Sequence, residues 1–398
     1  MNTAYKLHGI HRHYEWGGKS FIPQLMHIDN VIGKPFAEYW MGAHPSAPAM
    51  VETAGGLIAL DQMIQEKKVD LLGPKTTGQF GTLPYLFKIL DVEKMLSIQV
   101  HPSKENAEKG FLKEQLAGLA IDASNRNYKD QNHKPEVMVA LSDFWLLHGF
   151  MPAIALKERL SSLAPLQILL TVFGQDDYAG LYSHFMRLDQ NTADAILKPL
   201  LEIAVQEVAL GKVDKSHPHW WANKYYGGIV PTSNIDKGIL SIYILNIVNV
   251  PKHHGVFQGA GLLHAYLEGQ NIELMANSDN VLRGGLTPKH IAIEELLEHI
   301  KFEPTYPSIL QGDVTSSNEV QFPCPVPDFG LTKITLTQGE TYTNKTNSFE
   351  MFLVMQGDVQ LDGIDLKPGE LAAVKAGATY HIQQTGSETA VLFKSFVP

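Results

Sequence analysis

Imidazole, carboxylate and amide side chains at strand spacing are the first feature of the chain that could do chemistry. In Leu96-Ser97-Ile98-Gln99-Val100-His101-Pro102, an extended backbone places Leu96, Ile98 and Val100 on one face and Ser97, Gln99 and His101 on the other. Gln99 and His101 then present an amide oxygen and an imidazole side by side, as a metal requires; a solvated polar face is the plainer reading. The stretch Asn127-Tyr128-Lys129-Asp130-Gln131-Asn132-His133-Lys134-Pro135-Glu136 leads into the apolar run Val137-Met138-Val139-Ala140-Leu141. Glu136, at the mouth of that run, is either a strand-end carboxylate or a ligand, and Lys134 shares its face if the chain is extended. In a third segment, His264, Tyr266 and Glu268 alternate with Ala265 and Leu267, and a polar turn then presents Arg283 just before Gly284-Gly285. Arg283 is either a turn arginine bonding carbonyls or a cation reserved for a ligand. Weaker signals are Gly18-Lys19-Ser20, which fails the phosphate-loop pattern because residue 13 is His, and Lys88, a charge in the middle of an apolar strand.

The elements that must position these residues can be read from periodicity. Residues 1–150 are mostly short strands broken by Gly, Pro and Asn, with one helix opening at Pro102. Residues 152–236 turn helical: an amphipathic stretch over 153–170, then a helix over 193–210 capped by Asn191-Thr192, ended by Gly211 and kinked or broken at Pro199. Strands return over 239–286, followed by a helix with Thr287 as cap and Pro288 in its first position. Beyond Pro323, Pro325 and Pro327, residues 329–398 are all strand, with turns marked by Gly357, Gly363, Gly369 and Gly377.

Composition narrows the function. The 398 residues hold 32 Lys+Arg against 42 Asp+Glu, a net charge of −10, which disfavours a reader of nucleic-acid backbones. A small anionic substrate in a locally positive cleft is still allowed. No apolar run is long enough to span a membrane, and no secretory leader is visible, so a cytoplasmic protein is expected. The single cysteine, Cys324, excludes an intrachain disulfide and a cysteine-based zinc site.

The motifs together resemble the type I mannose-6-phosphate isomerases (phosphomannose isomerases). The resemblance rests on Tyr14-Glu15-Trp16-Gly17, on Ala37-Glu38-Tyr39-Trp40-Met41-Gly42-Ala43-His44-Pro45, on the segments 96–102 and 127–136, and most specifically on Asn277-Ser278-Asp279-Asn280-Val281-Leu282-Arg283-Gly284-Gly285 and its flanks. It covers most of 14–150 and 240–300; Gln131 departs from a common Pro and Tyr39 from a common Leu. The resemblance implies a mainly β architecture of cupin-type barrels or jelly rolls with a helical insertion. Its expected parts are a first cupin half (1–151), the insertion (152–236), a second cupin half (237–315) and a C-terminal cupin-like β domain (316–398).

The family's single zinc falls here on Gln99, His101, Glu136 and His264, and its arginine on Arg283. The tail resembles a cupin half without ligands, since His381 has no histidine partner nearby, and is expected to be structural. Two imidazoles, an amide and one carboxylate leave the ion a net positive charge, suited to polarising the oxygens of an enediolate. The expected reaction interconverts mannose 6-phosphate and fructose 6-phosphate in a monomer with one zinc per chain and no nucleic-acid or membrane partner. Arg283 would stabilise charge, with Lys134 or Lys88 as a further cation. His133, Lys134, Glu268 or a water at the metal would shuttle the proton. Trp16, Lys88, Tyr266 and Asp279 would meet the substrate. A cupin oxygenase, which would prefer iron with two His and one carboxylate, and a non-catalytic sugar-phosphate sensor are the rival readings.

Overall fold

The strand His264–Ala276 organises the molecule in the computed structural model, which describes residues 3–398. Its first residues pair with Phe144–Phe150, and His264 also faces Gln99. Its later residues pair with Tyr85–Val92 on one side and Glu136–Ala140 on the other. The change of partner falls at Gly269, where φ is +124° and a Cβ would lie 2.8 Å from the Asp143 carbonyl oxygen, so only glycine fits the bend. One strand therefore carries His264 at one end and Glu273 further along, and aligns both with side chains from four neighbouring strands.

All strand pairings between named strands are antiparallel, and the architecture is mainly β with a helical insertion, as expected. A ten-stranded sheet contains the strands around His264–Ala276. A nine-stranded sheet joins the two ends of the chain: Ala4–His8 lies between Met50–Thr53 and Leu371–Val374. A four-stranded sheet, from Thr341–Lys345 to Ile364–Leu366, completes the tail. Tyr85, Phe87 and Ile89 share a buried core with Phe349, Met351 and Phe393, while Phe352, Val354, Tyr380 and Leu392 fill the inside of the tail. Burial of these apolar faces fixes which side of each strand looks inward.

The insertion is helical, with Ala153–Ser162, Tyr178–Arg187, Gln190–Ala209 and Pro218–Tyr225 among its helices, and it packs on Ile98, Val100 and Leu147. Several local expectations need correction. The longest helix starts at Gln190, where Asp189 rather than Asn191-Thr192 is the cap, its carboxylate accepting from the Thr192 amide at 3.0 Å. Pro199 sits inside this helix, which stays continuous because Ile196, Leu197, Leu200 and Leu201 are locked in the core on both sides of it. Residues 239–244 are helical, not extended; every side chain of Gly238–Ile244 is buried, so no amphipathic period marks them. The helix foreseen at Thr287 begins at Ile293. Asp236 captures the amides of Leu286 and Thr287, both at 2.9 Å, and Thr287 accepts from the Lys289 amide, so this stretch is a loop. The helix expected from Pro102 starts at Lys104 with Ser103 as cap. Short helices such as Leu60–Glu66 and Pro74–Phe80 interrupt the N-terminal strands.

Candidate metal centre

Strand pairing brings three of the four expected ligands into one group. His101 follows the strand Ile98–Val100, Glu136 opens Glu136–Ala140, and His264 opens His264–Ala276. His101 Nε2 lies 3.4 Å from Glu136 Oε1, and His264 Nε2 lies 3.5 Å from Glu136 Oε2. These separations are near the edge of a tetrahedron with bonds of 2.0–2.1 Å, about 3.3 Å. Both imidazoles have their other nitrogen occupied: His101 Nδ1–H donates to the Asn280 carbonyl and His264 Nδ1–H to the Leu262 carbonyl, each at 2.9 Å. That fixes the tautomer and turns both Nε2 lone pairs toward Glu136. His101 Nε2 is buried without a hydrogen-bond partner, an orphaned acceptor of the kind a metal satisfies. Gln99 stands opposite both His264 and Arg283 in the strand register, and it lines the adjoining cleft.

The electrostatics favour the ligating forms. Burial, with help from Lys134, pushes the His101 imidazole down to about 4, so it is neutral at pH 7. Burial alone would raise Glu136, but Lys134, with Nζ at 3.2 Å, and the two imidazoles hold its carboxyl well below the usual range. Desolvation would lower Lys88, yet Glu273 at 2.8 Å and the nearby Glu38 and Glu136 carboxylates hold it above its ordinary value.

The cluster adjoins a cleft of about 1610 Å³ lined by Trp16, Lys88, Gln99, Lys134, Asp279 and Arg283. Trp16 stacks on Tyr14 at 5.9 Å, and Lys88 lies 5.4 Å from the Trp40 ring centre. Asp279 Oδ2 is 3.5 Å from His44 Nε2. Arg283 makes no ion pair or side-chain hydrogen bond among the described residues, and burial lowers its affinity for a proton. Three other residues named from sequence are engaged elsewhere. His133 Nε2 contacts both oxygens of Asp328 at 3.0 Å, and Glu268 is held by Lys215 and Lys224. Tyr266 is buried beside the cleft wall, its hydroxyl donating to Glu273 at 2.8 Å and accepting from Gln258 at 3.1 Å.

Sequence reasoning missed two features. Lys129 and Lys289 line the cleft with Arg283, and neither ammonium has an ion pair among the described residues. Burial and the charges of Arg283 and Lys129 lower Lys289, the mark of cations gathered at one pole of the cleft. The other is Asn280, whose side chain accepts from the Lys129 amide at 2.7 Å and donates to the Asn132 carbonyl at 2.9 Å. Asn280 thus ties the 127–136 loop to the carbonyl that orients His101. Its position in the Asn-Ser-Asp-Asn motif was visible, but the loop it would grip was not.

An antiparallel β fold with a His–Glu–His group at the edge of a cationic cleft defines the class as a cupin-type protein with a candidate metal centre. Comparison with known proteins narrows the class. Residues 4–153 match the family model "Phosphomannose isomerase type I, catalytic domain". The chain is 36% identical over 378 residues to mannose-6-phosphate isomerase from Shigella flexneri, covering 92% of this chain and 93% of that protein. It is 31% identical over 435 residues to mannose-6-phosphate isomerase from Rattus norvegicus, covering 99% and 96%. Among solved structures, a mutant phosphomannose isomerase from Salmonella typhimurium superposes with a TM-score of 0.88 at 33% identity, and a holo, zinc-bound mannose 6-phosphate isomerase with 0.86 at 33%; both alignments cover 100% of each chain. The chain belongs to the type I phosphomannose isomerase family.

Proposed function

We propose that the chain is a zinc-dependent aldose–ketose isomerase that interconverts mannose 6-phosphate and fructose 6-phosphate through an enediolate. The observation that carries the reading is one cleft that holds a cation cluster of Arg283, Lys289 and Lys129, unpaired among the described residues, and adjoins a pre-oriented His101–Glu136–His264 group. Zinc, held by Gln99, His101, Glu136 and His264, supplies Lewis-acid polarisation of the sugar's oxygens.

The chain's own residues do the rest. In the open-chain aldose the proton leaves C2, the C2–H electron pair forms the C1–C2 double bond, and the carbonyl oxygen takes the charge. Protonation at C1, with transfer of the C2 hydroxyl proton to the charged C1 oxygen, gives the ketose. Among the three side chains named as shuttles, with a water at the metal as the fourth candidate, only Lys134 lines the cleft, so Lys134 is proposed to carry the proton between C2 and C1. Arg283 is aimed into the cleft with its donors free, which suits the charge developing on the enediolate. Lys289 and Lys129 are the proposed phosphate contacts. Lys88, held protonated by Glu273, serves as a fixed charge rather than a base. Trp16 and Asp279 are the proposed sugar contacts at the cleft wall, whereas Tyr266 and His133 act through the side chains they hold. The proposal includes a cytoplasmic monomer, tested by cell fractionation and sedimentation, and no helix is long and apolar enough to cross a membrane.

Turnover of mannose 6-phosphate in deuterated water tests the chemistry. Product carrying solvent deuterium supports proton transfer through the enediolate. Turnover with no deuterium under any condition points to hydride migration and removes Lys134 from its role. Iron in place of zinc would favour an oxygenase, and binding without turnover a sensor.

A further inference from the structure

The helical insertion holds a second group of ligand-type side chains, none of which lines the cleft. Glu207 is in the last turn of Gln190–Ala209, His217 caps Pro218–Tyr225, and His219 is that helix's second residue. One ligand atom from each lies within 4.8 Å of the others. His219 Nδ1 is 2.8 Å from Glu207 Oε2, and the two imidazole rings are 4.5 Å apart. His217 Nδ1 accepts from the His219 amide at 3.2 Å, so this ring is already oriented. His219 is 1% exposed, and Nδ1 is the ring nitrogen it turns toward Glu207. The Glu207 side chain, by contrast, is 34% exposed, which leaves the group open to solvent on the carboxylate side. Burial, then the neighbouring His219 and Arg159 charges, push His217 down to about 4, and burial also lowers His219, so both rings offer lone pairs at pH 7.

Two imidazoles and one carboxylate suit zinc and its neighbours in the transition series better than calcium or magnesium. The group differs from the His101 cluster in a way that sets its strength. There the ligand atoms stand 3.4 and 3.5 Å apart with both tautomers fixed, whereas here Glu207 and His219 are already hydrogen-bonded. A metal must displace that proton, and the Arg159 charge opposes it, so the site binds more weakly than the first.

We propose that Glu207, His217 and His219 form a second, exchangeable divalent transition-metal site that clamps the end of one insertion helix to the start of the next. The clamp closes the turn between the two helices, where Gly211 adopts φ +64°. The clamped helix ends in Lys224 and Tyr225, which line the cleft, and Lys224 pairs with Glu268 of the central strand. Occupancy therefore stiffens one cleft wall without supplying a reacting group.

Equilibrium dialysis of the one-zinc protein against micromolar Zn2+, read by metal analysis and melting temperature, tests the site. The wild type should take up a second equivalent and melt higher. Glu207→Gln and His217→Ala, both at partly exposed positions, should bind the second equivalent on the order of 10²-fold more weakly and keep the first, with basal turnover unchanged. Anomalous scattering from zinc-soaked wild-type crystals locates the ion without any variant, and a peak among these three side chains is expected. A wild type that stops at one equivalent, a second equivalent unaffected by both substitutions, or a peak elsewhere overturns the proposal.

Discussion

Each β half of the molecule buries a lysine–glutamate–tyrosine network, and the two differ in what lies beside them. In the first, Lys88 donates to Glu273 at 2.8 Å, and Tyr266 donates to the same carboxylate at 2.8 Å. In the tail, Lys394 donates to Glu319 at 2.7 Å, and Tyr342 donates to it at 2.7 Å. Both lysines are nearly inaccessible, at 6% and 5% exposure. The first network borders the cleft and the His101–Glu136–His264 group, while the second lies away from the cleft, with its Tyr342 packed in the apolar filling of the tail. The single histidine of residues 316–398, His381, is exposed and hydrogen-bonded to Thr343. A buried ion network is therefore no sign of catalysis by itself; access to a cleft and a convergent donor set make the difference.

The largest effect should come from removing the carboxylate that the tail network lacks. Glu136→Ala should lose zinc and lower kcat/KM by ~10³-fold or more, measured with metal analysis on the same sample. Zinc occupancy equal to wild type would take Glu136 out of the ligand set. Next is Arg283, which has no counterpart in the tail. Arg283→Ala should cut kcat by ~10²–10³ at unchanged zinc content and melting temperature, and Arg283→Lys should rescue poorly because an ammonium cannot make the planar two-pronged contact. A rise in KM alone would make Arg283 a phosphate anchor instead.

Legibility of the chain followed the range of the interactions. Gln99 and His101 could be read from strand alternation, and Glu136 from its place at the mouth of an apolar run. Lys129 and Lys289 could not, because their lack of partners depends on two distant loops meeting around Arg283. The loop at Thr287 escapes local pattern for the same reason, because Asp236, fifty residues from Leu286 in sequence, decides it; the cap at Asp189 is local, one of three neighbouring cap-type side chains. The pairing of Ala4–His8 with Leu371–Val374 joins opposite ends of the chain, and no local pattern announces it. The wholly buried helix Gly238–Ile244 carries no amphipathic stripe to distinguish it from a strand.

Paired substitutions sharpen the contrast between the networks. Lys88→Met strands the buried Glu273 carboxylate and should cost about 3 kcal/mol in denaturant unfolding, and Lys394→Met, which strands the partly buried Glu319 carboxylate, should cost less. Only Lys88→Met should also lower kcat of the folded fraction, by ~10-fold or more. Equal kinetic losses in both would mean that the tail takes part in the chemistry.

The smallest effect concerns Glu350, buried in the tail beneath Tyr380, which donates to it at 3.1 Å. Burial raises its carboxyl against the pull of Lys394. Because the folded state holds this proton more tightly than the unfolded chain, its contribution is complete below the ordinary value of 4.5 and is lost as pH rises through the folded value. Glu350→Gln should therefore gain melting temperature relative to wild type between pH 4 and pH 7, by about 2 °C, with turnover unchanged. A relative loss over the same range would reverse the sign assigned to this group.

Metal removal tests the central claim most directly. Protein stripped by chelation, with its metal content verified as nil, should retain its fold by circular dichroism and turn over no mannose 6-phosphate. One equivalent of Zn2+ should restore activity in step with occupancy. Full turnover by the verified metal-free protein would contradict the account.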